Sequence, residues 1–225
     1  MKKQALLAAV SLVAPVVIGS TGVFADDTNT TSVTAQFTVS QNNSNPTPPN
    51  PSDPDHPDGD TNTNKPLDPA GNFALAYIPN DMDFGTMEIS AQGSLTQQLT
   101  LASGQSINVG VKDTQHNTQG WTLTAQLSGD LANVGATIDT QASTAKVYDN
   151  QGSLQSLPTG DMIQVNQNVK IGAASQEIMK GIAGNTFSGT YDLNLGTPTL
   201  DIPDVSRVNA GSASDTITWN LTQTP

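Results

Sequence analysis

The most regular alternation of apolar and polar side chains lies near the C-terminal end, in Asp215-Thr216-Ile217-Thr218-Trp219-Asn220-Leu221-Thr222. Successive side chains of a β-strand point to opposite faces. This spacing therefore predicts a strand with Ile217, Trp219 and Leu221 on one face and Thr218, Asn220 and Thr222 on the other. Gly120-Trp121-Thr122-Leu123-Thr124-Ala125-Gln126-Leu127 has the same pattern, with Trp121, Leu123, Ala125 and Leu127 sharing a face. A third alternating run, Ser32-Val33-Thr34-Ala35-Gln36-Phe37-Thr38-Val39, places Val33, Ala35, Phe37 and Val39 together. It precedes a long polar stretch. Because an isolated strand has nowhere to bury such a face, it is expected to pair back into the main domain.

From Gly71 onward the chain reads as short strands separated by turn residues. Candidates are 73–78, 95–101, 107–111, 121–127, 134–138, 145–148, 162–165, 169–173, 187–195, 200–202 and 216–222. Between them stand Ser103-Gly104, Ser128-Gly129-Asp130, Asp149-Asn150-Gln151-Gly152 and Pro158-Thr159-Gly160-Asp161, residues that favour turns. Many short strands with regular turns predict an all-β fold, an antiparallel Ig-like sandwich or a barrel-like closure. One stretch departs from this. Ser175-Gln176-Glu177-Ile178-Met179-Lys180-Gly181-Ile182-Ala183 fits one or two helical turns, capped by Ser175 and stopped by Gly184, with Ile178, Met179 and Ile182 facing the sheet.

Two further segments are read as lying outside that body. Lys2 and Lys3, the apolar run 5–18 and the small-residue site Val23-Phe24-Ala25 together read as a secretory signal, residues 1–25, so that the mature chain begins at Asp26. No other run is apolar enough to span a bilayer. Residues 26–40 form an N-terminal segment carrying the strand that joins the main domain. Residues 41–66 are a low-complexity mixture of Asn, Pro, Asp, Thr and Ser, read as a disordered acidic Pro-rich linker or loop because they bury too little apolar surface to offset their ordering. Residues 67–225 form the β domain.

Charge narrows the function. The chain has 8 Lys and Arg against 20 Asp and Glu; loss of Lys2 and Lys3 leaves six cations and a net charge of −14. Phosphate binding needs a basic footprint, so nucleic acid is not an expected partner, and attraction to anionic polymers is not an expected driving force. Cysteine is absent, so an exported fold of this kind has to be held by its core alone.

Nor does the sequence supply catalytic chemistry. The two histidines, His56 and His116, lie in a polar stretch and a loop, and no Gly-x-Ser-x-Gly elbow or phosphate loop is present. The carboxylates of Asp53-Pro54-Asp55-His56-Pro57-Asp58-Gly59-Asp60 do not follow the spacing of a calcium loop. Asp81, Asp83 and Glu88 are available for glycosidase-type chemistry but read more simply as solvated turn carboxylates. The expectation is a non-enzymatic protein without a metal or cofactor. Leu157-Pro158-Thr159-Gly160 is internal, lacks the intervening residue of a sortase signal and is followed by no apolar tail, which disfavours covalent anchoring.

The remaining candidates are the two Trp-x-Leu triplets, Trp121–Leu123 and Trp219–Leu221. Each indole shares a face with other apolar side chains, as on an inward strand face, but an indole also suits the apolar face of a pyranose. The triplets therefore read either as core or as a stacking platform for sugars.

These triplets, together with Leu67-Asp68-Pro69, the apolar run from Leu75 to the Phe84-Gly85 turn, Gly189-Thr190-Tyr191 and Leu200-Asp201-Ile202-Pro203, resemble the WxL-domain proteins of the Gram-positive cell surface. The resemblance covers about residues 30 to 225. It implies a secreted module attached non-covalently to the peptidoglycan of the cell wall. It also implies partners among larger membrane-anchored surface proteins, with host or extracellular matrix ligands in adhesion. It assigns the motif residues Trp121, Leu123, Trp219 and Leu221 a role in the fold or in wall binding. The alternatives are a protein–protein docking subunit, and a carbohydrate-binding or carbohydrate-active domain.

Overall fold

The computed structural model describes residues 31–40, 45–52, 63–67 and 71–224. The signal segment 1–25 and the acidic run 53–60 lie outside the described residues. Among the described residues, fourteen strands follow one another: β1 (Asn64–Pro66), β2 (Phe73–Pro79), β3 (Leu95–Gln98), β4 (Asn108–Asp113), β5 (Gly120–Ser128), β6 (Thr137–Gln141), β7 (Lys146–Tyr148), β8 (Leu154–Ser156), β9 (Ile163–Val165), β10 (Asn168–Ile171), β11 (Gln176–Gly181), β12 (Gly189–Asn194), β13 (Thr199–Ile202) and β14 (Thr216–Thr224). They form three antiparallel sheets, in the orders β1-β2-β4-β12-β7-β8, β10-β6-β13-β3 and β14-β5-β11-β9. Among the described residues, helical structure is confined to one four-residue turn, Asp130–Asn133, and a 3-10 turn, Val205–Arg207. The fold is thus all-β, as the alternation predicts.

The core is built from the inward faces of these sheets. Val109 and Val111 of β4, Tyr191 and Leu193 of β12, and Trp121, Leu123 and Leu127 of β5 are all buried in it. Every residue of β4 is buried, so its second face is covered as well. That face carries Asn108, Gly110 and Lys112. The Tyr77 ring lies so close to Gly110 that a Cβ there would stand 2.7 Å from Tyr77 Cδ1. The Tyr77 hydroxyl donates to Asp192 Oδ1 at 2.7 Å, and Asn108 Nδ2 donates to the same carboxylate at 2.9 and 3.1 Å.

Beside Tyr77, the start of β4 is bonded by residues of the polar stretch read as linker. Asn64 Oδ1 accepts from Asn108 N at 2.7 Å, and Asn64 Nδ2 donates to Ser106 O at 2.9 Å. Asn50 Oδ1 accepts from Ser106 N at 2.9 Å, and Pro51 forms a parallel bridge with Asn64. The Tyr148 hydroxyl donates to Thr47 O. Residues 45–52 and 63–67 therefore belong to the β body. They are held by side-chain amides rather than by apolar area, which is why a reading based on apolar content leaves them disordered.

Two other segments differ from expectation. Residues 176–181, read as helical, are strand β11. A bulge between Glu177 and Met179 shifts its register against β5. Ile178 and Met179, adjacent in sequence, are both fully buried. A bulge breaks the two-residue period, and here the break mimics helical spacing. Residues 32–39, expected as a strand, form no strand. Period-two alternation says which side of a strand would be buried; it does not say which edge the strand meets.

Candidate binding edge

Both Trp-x-Leu triplets lie in one sheet. β5 and β14 pair antiparallel over nine residues, with Leu221 opposite Leu123, Trp219 opposite Ala125 and Ile217 opposite Leu127. Residues directly opposite share a face, so Ile217, Trp219 and Leu221 continue the face that Trp121, Leu123, Ala125 and Leu127 turn to the core. Their surroundings differ because β5 is interior to its sheet and β14 ends it. Trp121 and Leu123 have no exposed surface. Trp219, Leu221 and Ile217 are half-buried against the core.

Trp121 is fixed from two sides. Its ring is tilted against Tyr191 with centroids 5.9 Å apart. On the neighbouring strand it is paired with Gly181, where a Cβ would stand 2.6 Å from Trp121 Cε2 and 2.9 Å from Thr186 Oγ1. Gly181 is needed because the indole occupies the space a side chain would take. Gly181→Ala is therefore expected to destabilise the fold by about 1–3 kcal/mol through overpacking, read as a lowered midpoint in thermal unfolding followed by circular dichroism. An unchanged midpoint would mean that the indole has room to move.

β14 is anchored at both ends. Before it, Asp215 accepts from Leu131 N at 3.0 Å and from Ala132 N at 2.8 Å, tying the strand to the first helical turn. Near its end, Gln223 Nε2 donates to Gln115 Oε1 at 2.6 Å. Between these ties the strand is long and uncharged. The other terminal strands, β1, β3, β8, β9 and β10, have three or four residues each; β14 has nine.

The direction of its free backbone groups follows from β5. Leu127 N donates to Gly172 O, not to its cross-strand partner Ile217. Along an antiparallel ladder, alternate residues address the same neighbour. Thr216, Thr218, Asn220 and Thr222 thus bond to β5. Ile217, Trp219, Leu221 and Gln223 direct their N–H and C=O groups outward.

The remaining sequence candidates are not gathered into a site. His116 occupies an exposed turn with φ 52°. Asp83 accepts from Gly85 N in a local turn. Among the described residues, no group of histidine and carboxylate side chains is placed to hold a metal, and no helix is long and apolar enough to cross a membrane. The acidic stretch containing His56 lies outside the described residues. That the second triplet lies on a strand that ends its sheet, among the described residues, is a feature that spacing alone does not reveal, since both triplets alternate identically.

The core face of this all-β domain runs out to a half-buried apolar stripe, Ile217, Trp219 and Leu221, on an uncharged strand that ends its sheet among the described residues. The chain belongs to the WxL family: the family model described as "WxL domain surface cell wall-binding" matches residues 25–225. It is accordingly a cell wall-binding domain of the cell surface. No curated protein and no solved structure matches it significantly.

Proposed function

We propose that the mature chain is a non-enzymatic module held non-covalently on the Gram-positive cell wall, with peptidoglycan as the surface that retains it. It works there in a complex with larger membrane-anchored surface proteins. In this reading the two triplets divide the labour. Trp121 and Leu123 belong to the fold; Trp219 and Leu221 make the contact. The observation that carries the reading is the half-buried state of Trp219 and Leu221, against the complete burial of their counterparts. With a mature net charge of −14, retention on an anionic wall rests on apolar, stacking and hydrogen-bonding contacts.

The test is co-sedimentation of the mature chain with purified peptidoglycan sacculi, with and without the other surface proteins. Retention on bare sacculi is expected, and Trp219→Ala should reduce the bound fraction about tenfold, the loss of one aromatic stacking contact. Retention that appears only with added proteins would instead make the chain a docking subunit of the complex. Equal retention of Trp219→Ala and the unaltered chain would remove the second triplet from the contact.

A further inference from the structure

Between β2 and β3 the chain joins no sheet. The ends of this strap are tied: Asn80 N donates to Thr63 O at 2.9 Å, and Val205 N donates to Gly93 O at 2.8 Å. Among the described residues, 81–92 make no backbone–backbone hydrogen bond and lie in no strand or helix. Their polar bonds are local, from Gly85 N to Asp83 Oδ1 at 2.8 Å and from Ser90 Oγ to Gln92 O at 2.8 Å. Opening such a segment breaks no ladder, so it costs less than opening the strands on either side.

Side chains hold the strap instead. Met82, Phe84, Met87 and Ile89 are half-buried and pack against the core, while Asp81, Asp83, Thr86, Glu88 and Ser90 are exposed. Gly85, at φ 73°, is the extra residue that brings 87 and 89 inward with 82 and 84. Two of the four anchors are thioethers, which are apolar only while the sulfur is unoxidised. The other methionines are placed differently. Met1 lies in the segment read as a signal, and Met162 and Met179 are 1% and 0% exposed. The chain has no cysteine to take up an oxidant first.

We propose that Met82 and Met87 are a methionine-oxidation site, and that their conversion to sulfoxides by hydrogen peroxide releases the strap 81–92 from the core. A sulfur lone pair attacks one peroxide oxygen and the O–O bond breaks. Sulfur is oxidised by two electrons to the sulfoxide, and the second oxygen leaves as hydroxide and takes up the proton to become water. The product side chain is polar, and returning it to an apolar surface strips it of its bonds to water. Half of the strap's anchors are then lost, and no backbone ladder replaces them. β2 and β3 keep their own pairing, with β4 and β13, so the change stays local.

The test treats the folded mature chain with hydrogen peroxide and maps the added oxygen by peptide mass spectrometry. Met82 and Met87 should be oxidised about tenfold faster than Met162 and Met179. After removal of the peroxide, a glutamate-specific protease reads the strap. The chain has two glutamates: Glu88, exposed in the strap, and Glu177, in the ladder of β11 with β5. Oxidation should speed cleavage after Glu88 about tenfold and leave cleavage after Glu177 unchanged. Met82→Leu/Met87→Leu keeps the apolar volume without the sulfur, so peroxide should not change its cleavage rate.

Four results would overturn the proposal. Equal oxidation rates at all four methionines would mean that the strap gives no selectivity. Unchanged cleavage after Glu88 with Met82 and Met87 oxidised would mean that the anchors tolerate the sulfoxide. An equal rise at Glu177 would make the effect global unfolding. The same rise after peroxide in the leucine variant would place the responsible group elsewhere.

Discussion

Trp121→Ala is expected to destabilise the fold by about 3–5 kcal/mol, the cost of a large cavity at a fully buried aromatic. Trp219→Ala, at a half-buried edge position, should cost about 1–2 kcal/mol. The first figure is a large share of the stability of an ordinary domain, about 5–15 kcal/mol. No disulfide offsets it, since the chain has no cysteine. The cavity would open between Tyr191, packed on the ring at 5.9 Å, and Gly181, whose lack of a side chain admits the indole. Neither neighbour can fill it: Gly181 has no atoms to offer, and the hydroxyl of Tyr191 is held by the Phe187 carbonyl. Trp121→Phe should recover more than half of the loss. It restores a ring, and it deletes an indole N–H that is buried without a partner and so adds little to stability. Denaturant unfolding of the three variants measures the order directly. Equal costs for the two alanine variants would end the division between a triplet that builds the fold and one that meets a ligand.

That division shows how far the sequence reaches. Both triplets are legible as strands, because Thr and Ile alternate with the apolar positions and the period is two. Their different fates are not legible. The register that makes Ala125 the partner of Trp219 also makes β14 terminal, and no local feature of Trp-Asn-Leu differs in kind from Trp-Thr-Leu. β11 was obscured by its bulge, which places Ile178 and Met179 inside together. The segment 45–52 was obscured because Asn50 and Asn64 act through amide hydrogen bonds to Ser106 and Asn108, residues more than forty positions away. Apolar periodicity records burial by area; it contains no record of a polar side chain that substitutes for a strand. The network around Asp192 is hidden for the same reason, since Tyr77 and Asp192 are 115 residues apart.

That network should govern the pH dependence of stability. Burial pushes the Asp192 carboxyl above its usual range; hydrogen bonds from Tyr77 and Asn108 and the charge of Lys146 oppose the shift without cancelling it. A carboxyl whose folded pKa lies above its unfolded value contributes stability that is fully present below about 3.8, the unfolded value, and is lost as pH rises through the folded value. Asp113 acts in the same direction, raised chiefly by burial. The mature chain should therefore gain stability as pH falls from neutrality toward about pH 4. Asp192→Asn has no buried carboxylate to desolvate, so this variant should be the more stable at neutral pH and show a shallower dependence on pH. Asp192→Ala should have the opposite effect. It takes the Asn108 amide's acceptor away in a closed space, at about 1–3 kcal/mol for a buried group left unpaired, and leaves the Tyr77 hydroxyl only Tyr148. Thermal unfolding of the three chains at neutral and mildly acidic pH separates these effects. Parallel pH profiles for the unaltered chain and Asp192→Asn would remove Asp192 as the source of the dependence and leave Asp113 and the net negative charge to account for it.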